Sequence, residues 1–130
     1  MSKATLGARI VLGLIFTLFD INYFVPFLPN PELSEAAGAF FGGLAATGYM
    51  LPLVKLTEIV GGLFLLTGFY VPLGLALLAP VVVNIVAFHL FLDLAGLPIS
   101  IVVLALEIFL AWSYRGAFAG MLAAKAEPGA

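Results

Sequence analysis

Four long apolar runs, about Leu6 to Leu28, Leu51 to Tyr70, Pro72 to Leu92 and Pro98 to Tyr114, constrain this chain more than anything else in it. A helix needs about 20 apolar residues to cross the hydrocarbon layer of a bilayer, and each run is close to that length. Lipid offers no water to backbone amides, so a spanning segment must be a helix or a strand of a closed barrel. Gly and Pro are too dispersed here for the alternating pattern of barrel strands, and the runs read as helices. The expected fold is therefore all-α, a polytopic membrane protein in which residues 1–130 form one four-transmembrane-helix bundle. The second and third runs are joined only by "FYVP", residues 69–72, a connection so short that the two must be antiparallel neighbours.

Composition agrees. The 130 residues are 64% hydrophobic and 9% charged, where soluble chains carry about 25% charged residues. No separate soluble domain fits. The absence of cysteine excludes thiol redox relays, disulfides, iron–sulfur ligation and Cys-based zinc sites within this polypeptide. A net charge of −2 with no basic stripe gives no reason to expect nucleic acid. The N-terminus has the charged-then-apolar order of a signal peptide, but its apolar run continues too far and no small-residue cleavage site follows; it is expected to be retained as the first span.

Between the first two spans, "NPELSEAAGAFFGGLAATGY", residues 30–49, opens with Asn30 as an N-cap, Pro31 at the first helical position and Glu32 in the first turn. Leu33, Ala37, Phe40, Phe41 and Leu44 then recur at helical spacing. Glycines from Gly38 to Gly48 make this a poor span and a better interfacial helix, predicted over about 31–46. Outside the spans, Lys3, Arg9, Arg115 and Lys125 group at the two termini, while the loops after the first and third spans carry Glu32, Glu35 and Asp93 and no basic residue. The positive-inside rule then places both termini in the cytoplasm, as expected for a multi-pass protein of the bacterial cytoplasmic membrane.

Charged side chains at membrane depth are expensive and usually face the bundle interior. Asp20, Lys55, Glu58 and Glu107 fall within spans, with Asn22, Asn84 and His89 as further polar members. At a rise of 1.5 Å per residue, His89 lies about 6 Å in from the outer end of its span, Asp20 and Glu58 about 9 Å, and Asn84 and Glu107 about 13 Å. Three faces mix small and polar residues, as buried membrane interfaces do: Gly13, Thr17, Asp20 and Phe24; Leu51, Lys55, Glu58, Gly62 and Leu65; Ser100, Leu104, Glu107 and Ala111. Asn84 and His89 are five residues apart and point about 140° from each other, so one polar cluster need not contain both. Lys55 and Glu58 are either the wall of a buried polar site or an intrahelical pair whose lysine reaches the headgroups. His89, the only histidine, is better read as an interfacial residue bonded to a carbonyl than as a metal ligand; no metal site is expected.

One stretch resembles a known family. From about Phe40 to His89 the chain carries a Gly-x-x-x-Pro approach in "GYMLP", the block "EIVGGLFLLTG" with Glu58, Gly61, Gly62 and Gly68, a tight hairpin, and the closing Phe88–His89. In these it is similar to the DoxX family of small four-helix membrane proteins. Such families often place a basic residue in the short hairpin, where this chain has "FYVPLG". The resemblance implies association with quinone-linked membrane redox chemistry, although fold-level likeness does not transfer an activity. Three functions follow as expectations. The first is a redox-accessory subunit holding a quinone or other small apolar ligand in an outward polar pocket, with Glu58, His89 and Lys55 supplying hydrogen bonds or protons. The second is an assembly or scaffold protein whose glycine faces, Gly13, Gly61, Gly62 and Gly68, pack helices or partners, including redox proteins or a second copy of the chain. The third, weakened by the lack of an internal repeat, is a small permease or proton pathway.

Overall fold

Helix boundaries in this chain are set by capping groups more than by hydropathy. The structure, a computed structural model, describes residues 1–30 and 32–129. Helix α1 (Lys3–Phe24) starts three residues before its apolar run because the Ser2 hydroxyl accepts the Thr5 amide at 3.1 Å. It stops at Phe24, short of the expected Leu28. Val25 precedes Pro26 and is extended, as a residue before proline prefers, and the Asn22 side-chain oxygen accepts the amides of Phe27 and Leu28, both at 2.8 Å, folding the chain back.

Helix α2 (Glu35–Ala46) corrects the expected start of the interfacial helix. Its N-cap is Ser34, whose hydroxyl accepts the Ala37 amide at 3.1 Å, rather than Asn30, and Glu35 rather than Glu32 occupies the first turn. Pro31 lies outside the described residues. The Ser34 hydroxyl also donates to the Leu92 carbonyl at 2.8 Å, which ties the start of α2 to the end of another helix.

Helix α3 (Met50–Thr67) ends at Gly68, whose φ of 81° lies in the left-handed region that a side chain rarely adopts. The expected end at Tyr70 is shortened by this cap. Helix α4 (Val71–Leu92) follows directly and keeps Pro80 within it. A 3₁₀ turn (Leu94–Gly96) leads into α5 (Leu97–Ser113), and a single turn, α6 (Arg115–Phe118), comes after it. The four long helices are long and apolar enough to cross a membrane, so the chain is a multi-pass membrane protein.

The bundle is a ring. Helix α1 packs on α3 and α5, and α4 packs on the same two, with the most extensive contact between α1 and α3. Leu12, Phe16, Leu65, Leu75, Leu78, Val82, Val103 and Leu110 fill the interior. In lipid the apolar surface gains little by leaving its surroundings, so close packing and polar contacts must hold such helices together. Adjacent glycines on α3 show how. A Cβ on Gly62 would meet the Thr17 hydroxyl at 2.6 Å and the Gly13 carbonyl at 3.1 Å on α1; one on Gly61 would meet Leu78 of α4 at 2.7 Å. Back to back, the two let α3 approach both neighbours at once.

The chain reverses at each span, so the end of α1 at Phe24, the start of α3, the end of α4 and the start of α5 share one end of the bundle. Helix α2 lies there against α3 and α4, with the rings of Phe40 and Phe41 tilted against Phe88 at 5.3 and 5.1 Å between ring centres. At the opposite end the Thr5 and Ser113 hydroxyls meet at 3.4 Å, placing residues 1–5 beside the end of α5.

Candidate functional site: a lysine beneath an aromatic cleft

The glycine contact between α1 and α3 brings their polar faces together one to two turns nearer the α2 end. There the Lys55 ammonium lies 3.0 Å from Asp20 Oδ1. The Asp20 side chain is 2% exposed and that of Lys55 is 24% exposed, so the carboxylate is buried while the ammonium keeps one open side. Glu58 is buried on the same face of α3. The lysine's closest partner is thus across the helix interface, rather than the glutamate three residues along its own helix. Two carboxyl groups beside one ammonium leave one negative charge over, which at this depth calls for a proton or a second cation.

The open side of Lys55 faces a cleft of about 280 Å³ between α1, α3 and the segment leading to α2. Phe19 and Tyr23 of α1, Phe41 of α2, and Leu33 and Leu51 give it apolar walls, while Asn22 and Asn30 stand at its rim. An ammonium carries three donors and accepts nothing. Asp20 takes one, and the others are free to meet an acceptor in the cleft. The arrangement is a half-open, largely apolar groove with Lys55 among its lining residues.

The remaining sequence candidates go elsewhere. His89 does not reach this site. Its Nδ1 lies 3.1 Å from the Asp93 carbonyl oxygen and 3.7 Å from an Asp93 carboxylate oxygen, and its ring packs on the α-carbon of Gly96, where a side chain would collide with it. It closes the turn between α4 and α5. Asn84 is exposed on the outside of α4 and makes no hydrogen bond among the described residues, so it shares no pocket with His89 or Lys55. Glu107 faces the interior from α5, 6% exposed, with one oxygen unpartnered among the described residues. No three His, Cys, Asp or Glu side chains are placed to hold a metal ion among the described residues. Gly13, Gly61 and Gly62 are helix contacts as described, and the Arg9 guanidinium packs over Gly68 at the other end of the bundle.

Leu51 shares the sequence-predicted stripe of Lys55 and Glu58, and Leu33 and Phe41 lie among the apolar residues of the segment after α1, but nothing in the sequence marks Phe19 or Tyr23, and only the return of the loop over α1 and α3 makes these residues walls. Asn22 had a signal, a polar residue near the end of a span, yet its oxygen is spent on capping the loop. Gly74 was also passed over, although a Cβ there would meet the Gly61 carbonyl at 3.0 Å.

The fold and site together define a four-span membrane protein in which Lys55, paired with a buried Asp20, lines an open, largely apolar cleft. Comparison with protein-family models, with curated proteins and with solved structures finds no match for this chain.

Proposed function

We propose that the chain is a DoxX-like accessory subunit of a membrane redox system and that it holds a quinone, or a similar small apolar carbonyl compound, in the cleft above Lys55. The observation that carries this is the Lys55 ammonium, held by buried Asp20 and open on its other side to Phe19, Tyr23 and Phe41. A quinone ring offers what those residues accept: two apolar faces for aromatic walls and a carbonyl oxygen for the lysine. At about 280 Å³ the cleft falls just below the usual range of ligand pockets, about 300 to 1,000 Å³, so it suits a headgroup whose tail remains in lipid. With both termini cytoplasmic, the cleft opens on the outer side of a bacterial cytoplasmic membrane. The experiment is the quinone content of the chain extracted in mild detergent. Near-stoichiometric quinone, reduced in Phe41→Ala, supports the reading, and background content in the unaltered chain contradicts it.

One observation favours a second reading. The Lys55–Asp20 pair bridges α1 and α3 at their closest contact, so the polar cluster also suits a scaffold or assembly protein in which it is purely structural. In that case Lys55→Met changes stability and leaves quinone content alone.

A further inference from the structure

Asn84 is a polar side chain that nothing within the bundle explains. It lies eight residues from the end of α4, about 12 Å into the span, exposed to the surroundings and without a hydrogen-bond partner among the described residues. An amide in hydrocarbon gives up the hydrogen bonds water would supply, and such side chains in membrane helices commonly bond across to another helix.

The face on which it stands has the pattern of a helix seam. Leu73, Leu77, Pro80, Asn84, Ala87 and Phe91 follow one another at alternating steps of four and three, the heptad spacing of left-handed helix pairs, and all six are exposed or half-exposed. The bundle uses other residues of α4 for its own interior: Gly74, Leu75, Leu78 and Val82. A second set at 3.5-residue spacing is therefore left over on the outside.

We propose that this face pairs with α4 of a second copy of the chain, with Asn84 bonding to Asn84 at the two-fold axis. Copies inserted in one orientation are related by an axis along the bilayer normal, which brings identical residues to the same depth. An amide is its own complement, donor and acceptor together, so the two Asn84 side chains satisfy each other. No charged residue lies on the seam to repel its twin. A single polar residue in an otherwise apolar seam also fixes its register.

The chain has no cysteine, so single cysteines report the contact directly. Leu77→Cys and Ala87→Cys should each give a disulfide-linked dimer on mild oxidation in native membranes. Val102→Cys, exposed on the outside of α5, should give little. Adding Asn84→Leu to Ala87→Cys should lower the cross-linked fraction, with the dissociation constant of the purified protein rising about threefold or more, as loss of an interhelical hydrogen bond in a membrane produces. Equal cross-linking at all three positions, no dimer band, a product with the mass of some other partner, or a dimer indifferent to Asn84→Leu would each overturn the proposal.

Discussion

Lys55 of α3 and Asp20 of α1 lie 3.0 Å apart across the most extensive helix contact of the bundle, and Glu58, three residues along α3 from the lysine, is buried. The relationship predicts strong coupling between two residues 35 positions apart. Asp20→Asn and Lys55→Met should each destabilise the protein by about 1 to 3 kcal/mol, less than a fully buried pair because the lysine is partly open. The double variant should recover much of the loss, since neither charge is then left alone. Melting in detergent checks this, and losses that merely add would mean the two groups are not coupled.

Glycine positions divide by what faces them. Gly62→Ala places a methyl group against Thr17 and the Gly13 carbonyl, and should cost about 1 to 3 kcal/mol through separation of α1 from α3. Gly43→Ala meets nothing within 4 Å and should be neutral or slightly stabilising, as helical glycines replaced by alanine are. Side-by-side melting curves of the two variants decide it.

Glu107 offers a case in which removal of a carboxyl group should help. Its unpartnered oxygen is buried, so Glu107→Met should leave stability unchanged or raise it by about 1 kcal/mol. A large loss in the same melting assay would reveal a bond that the carboxyl group makes in the membrane.

The grouping of Lys3, Arg9, Arg115 and Lys125 at the termini predicts that α2 and the C-terminus lie on opposite sides of the membrane. Reporter fusions at Glu35 and Ala126 should give opposite signals. Equal signals would require a different orientation or a different number of spans.

The four spans were legible because length and hydropathy alone select helices in lipid, and the buried stripe of Glu58, Gly62 and Leu65 followed from 3.6-residue periodicity. Which carboxylate Lys55 meets was not legible. Glu58 is near it in sequence, but Asp20 is brought close by the Gly13–Gly62 contact, and pairwise approach between helices is invisible to a single helix's periodicity. His89 is legible as an interfacial residue bonded to a carbonyl, which is the Asp93 oxygen; that its ring packs on the bare α-carbon of Gly96 rather than beside Lys55 is a turn geometry that depth counting does not register. The start of α2 expected at Asn30 gives way to Ser34, which caps the helix while also bonding the Leu92 carbonyl.

The central claim is that the ligand sits against Lys55 rather than His89. Equilibrium titration of a short-chain quinone into the purified chain, beside Lys55→Met and His89→Gln, tests it most directly. Saturable binding that weakens about tenfold in Lys55→Met, as loss of a charged hydrogen bond produces, and is unchanged in His89→Gln is the predicted result. Binding that is indifferent to Lys55→Met while melting shows the variant folded, or that fails only in His89→Gln, would contradict it.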